Sequence, residues 1–217
     1  MNPDAGLIIA CPHCHAPAKV LTPIAPNPIG AITWTDGFQE TPMAPRPPRI
    51  TRCHACGKHY WLDEAPQLGL AEEPPPDATD DETWKNAPPV ESLDEAGAFE
   101  ALAQGLGYNR DLEMELRVLA WWRGNDAFRC ADAPLGYATS PAAVANMERL
   151  LELMEDGDED LLLFRAEAQR QLGRFEEMEQ TLSGVCCSDY WPAKSRLIEL
   201  VTARSRKLEK LFEISDQ

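Results

Sequence analysis

Two short cysteine pairs constrain this chain more than any other feature of its sequence. Both pairs have the spacing CxxC, at Cys11–Cys14 and at Cys53–Cys56, with 38 residues between them. Four thiolates at this spacing are typical of a tetrahedral structural zinc site. Gly57 follows the second pair, and glycine tolerates the left-handed backbone that turns N–H groups toward sulfur. We therefore predict that one structural zinc ion is bound by four residues: Cys11, Cys14, Cys53 and Cys56.

The segments around the cysteine pairs have the composition of short β-strands. Strands are predicted on both sides of each pair, at residues 7–10, 18–21, 50–52 and 58–62. Between the pairs, residues 29–35 and 38–41 predict a further hairpin that turns at Asp36-Gly37. A β unit this small and rich in proline buries too little apolar surface to offset its conformational entropy without a metal. The prediction is a zinc ribbon over residues 1–70.

An acidic, proline-rich segment follows the predicted ribbon. Residues 63–82 contain eight acidic residues, no basic residue and three consecutive prolines at 74–76. Such a composition favours an extended, solvated chain over a packed core. Residues 71–90 are therefore predicted to form a linker between two domains.

From residue 91 the spacing of the apolar residues changes to the helical period. Helices are predicted at residues 93–106, 110–123, 141–154, 159–172, 174–182 and 191–212. Ser92 is the expected cap of the first helix, and Ser140-Pro141 opens the third. Short turns between the helices favour antiparallel packing. The predicted fold class is α+β, with the small β zinc ribbon followed by an all-α helical bundle over residues 91–217.

One predicted helix pair resembles the tetratricopeptide repeat. The resemblance lies in a small residue on the first helix, a glycine at the turn, an aromatic residue two positions later and a leucine on the second helix: Ala166, Gly173, Phe175 and Leu182. It implies a closely packed helical hairpin and a groove for a peptide or a partner protein. The whole chain is also similar to uncharacterised bacterial proteins that join a CxxC…CxxCG ribbon to a helical tail, through residues 34–37 and 119–128 as well as the cysteine pairs. No activity comes with that similarity.

The net charge of −16 restricts the classes of partner. A chain this acidic is repelled by phosphate backbones and by anionic membranes, so a protein or peptide partner is favoured over nucleic acid. No apolar run approaches the roughly 20 residues of a membrane span, and residues 7–10 are too few for a signal peptide. Seven cysteines, an odd number, do not form the pattern of a secreted disulfide scaffold. We expect a cytoplasmic protein without a membrane segment.

Histidines and aromatic residues near the cysteines leave other interpretations open. All four histidines lie in or beside the cysteine pairs, so histidine ligation stays possible while coordination by four cysteines is favoured: His13, His15, His54 and His59. Four aromatic residues would suit base stacking, but no basic groove accompanies them: Trp34, Phe38, Tyr60 and Trp61. Core packing is the favoured role of these aromatic side chains.

The first cysteine pair also resembles the dithiol of thioredoxin-fold disulfide oxidants. In that fold the CPHC motif opens a helix, whereas here Pro17 follows soon after the motif and a second CxxC pair lies downstream. The other cysteines, Cys130, Cys186 and Cys187, are interpreted as ordinary small side chains. Four cations near the predicted end of the last helix would complement its dipole: Arg204, Arg206, Lys207 and Lys210.

The favoured function is a non-enzymatic protein-binding or adaptor module in which zinc is structural. No nucleophile–base set, phosphate loop or HExxH motif stands out, so no catalytic residue is assigned. One alternative is a nucleic-acid or transcription-associated zinc ribbon. The other is a dithiol redox protein or zinc-dependent chaperone acting through Cys11 and Cys14.

Overall fold

The strands and helices of this computed structural model lie within residues 6–21, 28–42, 46–71, 86–130, 136–154 and 159–214, the parts of the chain that it describes. The strands are β1 (Gly6–Ala10), β2 (Pro17–Leu21), β3 (Ile32–Trp34), β4 (Gln39–Glu40), β5 (Ile50–Arg52), β6 (His59–Trp61), β7 (Gln67–Leu70) and β8 (Lys210–Glu213). The helices are α1 (Glu95–Ala103), α2 (Arg110–Asn125), α3 (Pro141–Leu153), α4 (Glu159–Leu172), α5 (Phe175–Ser183) and α6 (Trp191–Thr202). Small antiparallel sheets followed by helices confirm the predicted α+β class.

The chain divides into two compact units, and neither is a single stretch of sequence. The first, here called the ribbon unit, contains residues 1–28 and 41–106, and the second, the helical unit, contains residues 29–40 and 107–217. The predicted segments 1–70, 71–90 and 91–217 group the chain differently. Helix α1 belongs to the ribbon unit and the hairpin β3–β4 belongs to the helical unit.

In its described residues, the ribbon unit contains two antiparallel sheets and one α-helix. Strand β1 lies between β2 and β7, and β5 pairs with β6. Helix α1 is held on β6, because the Gln104 amide oxygen accepts from the backbone N–H of His59 at 3.3 Å and the Leu106 carbonyl accepts from the Trp61 indole at 3.1 Å. The predicted cap of this helix was wrong: Asp94, and not Ser92, accepts from the Gly97 N–H, at 2.7 Å.

The described ends of the predicted linker pack on the ribbon unit. Residues 72–85 lie outside the described residues. Ala71 and Ala87 share a buried cluster with Ile8. The Lys19 N–H donates to the Pro88 carbonyl at 2.8 Å, and the Val90 N–H donates to the Lys19 carbonyl at 2.9 Å. Proline lacks an N–H but its carbonyl still accepts, so residues 88–90 satisfy the outer edge of β2.

In the helical unit, each helix from α2 to α6 packs against the next. Their positions up to residue 183 agree with the predicted helices to within three residues. Ser140 caps α3 as predicted, by accepting from the Ala143 N–H at 3.0 Å. The turn between α4 and α5 places Gly173 at a φ of 81°, and the Arg174 N–H donates to the Gln169 carbonyl at 2.8 Å. This left-handed helix end lets Ala166, Phe175 and Leu182 pack in one apolar cluster.

The predicted last helix, 191–212, was wrong in its second half. Helix α6 ends at Thr202, Arg204 takes a φ of 47°, and β8 then pairs with β3 in the sheet order β4-β3-β8. The open edge of β3 gives residues 210–213 backbone partners that an isolated helix end lacks. Leu208 is anchored before the strand, since its side chain is buried and its N–H donates to the Gly136 carbonyl at 2.9 Å.

Candidate metal centre

Each cysteine pair lies at the tip of a β-hairpin. The pairs interrupt β1–β2 and β5–β6, and the two tips have the same backbone pattern. The N–H of the first cysteine donates to the carbonyl five residues on, Cys11 to Ala16 and Cys53 to Lys58, both at 2.9 Å. The first cysteine's carbonyl accepts from the N–H four residues on, again at 2.9 Å in both tips. The strands therefore present the two pairs as structural copies of each other.

The residue after each cysteine pair adopts a left-handed backbone. Gly57 has a φ of 72°, as its place in the sequence predicted, and His15 has a φ of 62° at the equivalent position of the first pair. Left-handed residues other than glycine are uncommon and strained. From the sequence, His15 was considered as a possible metal ligand and, in the favoured interpretation, as a residue outside the ligand set; its backbone role was missed. Aligning the two CxxC pairs would have revealed it, because His15 and Gly57 each directly follow the second cysteine of a pair.

The structure brings the four predicted cysteines together. Their sulfur atoms all lie within 4.8 Å of one another, with the Sγ atoms of Cys11 and Cys56 at 3.9 Å and those of Cys14 and Cys53 at 3.6 Å. A tetrahedral ion with metal–sulfur bonds of about 2.3 Å places its sulfur ligands about 3.8 Å apart. The four thiols therefore fit a tetrahedral metal ion.

The environment of the thiols supports a cation at their centre. Cys11 and Cys53 are buried in the apolar cluster of the ribbon unit, whereas Cys14 and Cys56 are exposed. Burial raises the pKa of the Cys11 thiol to about 12. Burial also acts on Cys53, but hydrogen bonds from the backbone N–H groups of Cys56 and Ala55 and from the side chains of Cys14 and Cys11 together bring the pKa of that thiol down to about 7. Four neighbouring thiols ionise together only when a bound cation compensates their charge.

The histidines are placed around the cysteine cluster rather than in it. Among the described residues, the group with ligand geometry consists of the four cysteines and includes no histidine. His13, His15 and His54 are exposed. His59 is buried at the end of β5–β6, with its Nε2 atom 3.9 Å from a Glu100 carboxylate oxygen.

The aromatic residues considered for base stacking are mostly core residues. Tyr60 and Trp61 are each 2% exposed in the ribbon unit, and Trp34 is 5% exposed in the helical unit. Phe38 packs edge-on against Trp122, with ring centroids 5.6 Å apart. These contacts support the packing role that the sequence analysis favoured.

A buried polar network in the helical unit was not predicted as such. Asp36, at the turn of β3–β4, is fully buried, and its carboxylate accepts from Asn125 Nδ2 at 3.0 Å and pairs with the Arg129 guanidinium. The Asp36 carbonyl accepts from the Trp122 indole at 2.8 Å. Burial raises the pKa of Asp36 to about 6, although Arg129 and Asn125 act in the other direction. The segments 34–37 and 119–128 thus meet in one network.

A second buried ion pair extends this network along α4. Arg170 and Glu167 are both fully buried and form two hydrogen bonds of 2.7 Å with each other. Arg170 also donates to the Lys207 carbonyl at 2.7 Å and to the Thr35 hydroxyl at 3.4 Å. The guanidinium therefore ties both the hairpin β3–β4 and the segment before β8 to α4.

The three cysteines outside the cluster and the basic residues after α6 lie at or near the surface. Cys130, Cys186 and Cys187 are exposed. The basic residues that follow α6 lie beyond the helix, and ion pairs occupy two of them: Arg204 with Glu176 at 3.0 Å and Lys210 with Glu213 at 3.4 Å. The Arg206 guanidinium lies over the Tyr137 ring, 4.4 Å from its centroid. These cations thus contact neighbouring side chains instead of completing the dipole of a longer helix.

Comparison of the chain with protein-family models, with curated proteins and with solved structures found no match. Within the described residues, every helix is too short or too polar to cross a lipid bilayer.

Proposed function

We propose that this chain is a structural zinc protein that acts by binding another protein. The observation that carries the first part is the set of four sulfur atoms within 4.8 Å, at the tips of two hairpins. Four thiolates complete a tetrahedron and leave no position for a substrate, which is the arrangement of structural rather than catalytic zinc. The set Cys11, Cys14, Cys53 and Cys56 would hold the ion and supply folding energy to the ribbon unit.

Zinc is the metal that these ligands favour. A tetrahedral set of four thiolates selects zinc or iron among the metals common in proteins, while calcium and magnesium require oxygen ligands. The dithiol redox function has less support, because Cys11 is 1% exposed and burial raises the pKa of its thiol, the reverse of what a reactive thiolate needs.

A matched pair of cysteine variants tests the zinc site. Cys56→Ser removes one exposed ligand, and Cys186→Ser removes an exposed thiol outside the cluster. We expect Cys56→Ser to lose most of its zinc and the β signal in circular dichroism, and Cys186→Ser to retain both. Equal zinc content in the two variants would contradict the assignment.

The protein-binding part of the proposal is supported by exposed apolar side chains on α6. Trp191 and Ile198 are 60% and 45% exposed, and they lie on one side of the helix because seven residues make about two turns. The buried aromatic residues and the paired cations described above support a protein partner over nucleic acid.

The partner surface is tested in a pull-down with the purified chain as bait. The control variant also replaces an exposed aromatic residue by serine. Trp191→Ser removes the exposed aromatic residue on α6, and Tyr108→Ser removes another that is 65% exposed elsewhere on the helical unit. We expect proteins captured by the natural chain to be lost with Trp191→Ser and retained with Tyr108→Ser. Capture that is unaffected by either substitution would contradict a role for α6.

A further inference from the structure

The hairpin β3–β4 is bracketed in sequence by the metal-binding cysteines but folds with the other unit. Residues 29–40 belong to the helical unit, whereas the segments on both sides, which carry Cys14 and Cys53, belong to the ribbon unit. The chain therefore crosses between the units on each side of this hairpin. Unfolding of the ribbon unit would therefore alter the chain segments that flank the hairpin on both sides.

The hairpin contacts the helices through the buried polar side chain of Asp36 and through the Phe38 ring, which packs against Trp122. Asp36 is 0% exposed and is bound by side chains of Trp122, Asn125 and Arg129. Gly37 lies so close to α4 that a Cβ atom built on it would be 2.6 Å from the Phe164 ring. Buried ion pairs contribute specificity more readily than net stability, because desolvation offsets their attraction. Strand β3 also pairs with β8, so backbone hydrogen bonds hold the docked hairpin together with this interface.

We propose that metal binding by the cysteine pairs is coupled to docking of the hairpin β3–β4 on β8, α2 and α4, so that loss of the metal weakens this docking. This inference rests on the proposed zinc site. Undocking would separate β3 from β8 and expose polar side chains on α2, on the segment that follows it and on α4: Asn125, Arg129 and Arg170. The metal would thus influence the helical unit, although all four of the cysteine ligands belong to the ribbon unit.

Chain connectivity supplies the coupling. With the metal bound, residues 46–71 and 86–106 are folded parts of the connection between the hairpin and α2. Without it they become one long flexible loop, since a small ribbon of this kind depends on its metal for folding. The probability of loop closure falls roughly threefold for each doubling of flexible length. Two doublings of the flexible length lower the local concentration of the hairpin about tenfold, and this is the change that we expect when the ribbon unit unfolds.

Hydrogen exchange of the full-length chain tests the proposal directly. Amide exchange is measured by mass spectrometry on the zinc-loaded chain and after treatment with a chelator. We expect peptides from residues 29–40 to exchange about tenfold faster after zinc removal, and peptides from α4–α5 to change by less than threefold. If residues 6–21 and 46–71 lose protection while residues 29–40 keep theirs, the proposal is overturned.

Coupling is reciprocal, so disturbing the hairpin must weaken zinc binding by a similar factor. Asp36→Ala removes the buried carboxylate, and Glu40→Ala removes an exposed carboxylate from the same hairpin. We expect the zinc dissociation constant, measured by competition with a chromophoric chelator, to rise about tenfold for Asp36→Ala and to stay unchanged for Glu40→Ala. The zinc dissociation constant still tests the coupling if Asp36→Ala unfolds the helical unit, because the hairpin is undocked in that case too.

The two proposals fail in different ways. If the natural chain binds no zinc in the chelator competition, the proposed function is wrong. If it binds zinc but the Asp36→Ala and Glu40→Ala variants have the same dissociation constant, only the coupling is wrong.

Discussion

His15 occupies a backbone position that glycine fills in the second cysteine pair. Both residues are left-handed, with φ values of 62° for His15 and 72° for Gly57. Glycine adopts this conformation without the steric cost that a side chain brings, about 1 kcal/mol. We expect His15→Gly to stabilise the ribbon unit by about 0.5–1 kcal/mol and Gly57→Ala to destabilise it by about 1 kcal/mol, measured by urea unfolding of the zinc-loaded chain. A destabilising His15→Gly would show that the imidazole has a contact of its own.

Asp36 makes the stability of the helical unit depend on pH. Burial raises its pKa to about 6, above the ordinary value of 3.8, so the folded state binds more protons than the unfolded state between these values. The contribution of Asp36 to the free energy of unfolding is therefore fully present below about pH 4 and is lost as the pH rises through about 6. Between pH 5 and pH 7 we expect the free energy of unfolding of the natural chain to fall by roughly 1 kcal/mol relative to that of Asp36→Asn.

The measurement for Asp36 is urea unfolding of both proteins at the two pH values, followed by helical circular dichroism. Comparing the two proteins cancels the titration of all other groups, including the thiols. Identical pH dependence in the natural chain and in Asp36→Asn would mean that Arg129 and Asn125 keep the carboxylate ionised at pH 5.

Single residues were predictable where one local rule was sufficient. Ser140 before Pro141 identified a helix start, and Gly57 after the second cysteine pair identified a left-handed turn. Asp36 was expected to act only in its own turn, because Asp-Gly is a hairpin signal. Its burial against Asn125 and Arg129 depends on contacts about 90 residues away in sequence, which no local pattern encodes.

At the scale of elements, packing of the hairpin β3–β4 on α4 depends on a missing side chain at its turn. Gly37 and Gly30 have the same φ of 77°, but only the Cβ atom built on Gly37 meets a neighbour within 4 Å, the Phe164 ring at 2.6 Å. Alanine therefore introduces equal backbone strain at both positions and a steric clash at one. We expect Gly30→Ala to cost about 1 kcal/mol and Gly37→Ala about 2–4 kcal/mol in thermal unfolding of the helical unit. Equal losses in the two variants would contradict the packing of the turn on α4.

The positions of most elements were predictable, but their partners were not. Helices α2 to α5 were found because helical spacing, caps and glycine stops agree in this region. Strand β8 was missed because Leu208, Leu211 and Phe212 continue the helical spacing of α6, and only the open edge of β3 overrides it. Residues 29–41 were correctly expected to be a hairpin, yet strand composition does not determine which unit a hairpin joins.

For the whole molecule, the order of segments in the sequence differs from their grouping in space. Changes of composition along the chain predicted domain boundaries near residues 70 and 90, and they placed the hairpin β3–β4 in one domain with the cysteine pairs on either side of it. In the structure, Thr35 and Asp36 contribute hydrogen bonds to the core of the helical unit through Arg170 and Arg129. Discontinuous units of this kind arise from long-range pairing, so composition alone does not reveal them.

The central claim is that four of the seven cysteines hold one zinc ion, and metal analysis combined with thiol alkylation tests it most directly. The chain is purified without chelator, its zinc and iron are measured by plasma emission, and the thiols that react under native conditions are mapped by mass spectrometry. The account predicts one zinc and no iron per chain, with Cys130, Cys186 and Cys187 alkylated and the four cluster cysteines protected until a chelator is added. A chain without metal, or with Cys14 and Cys56 alkylated as fast as the surface thiols, would contradict it.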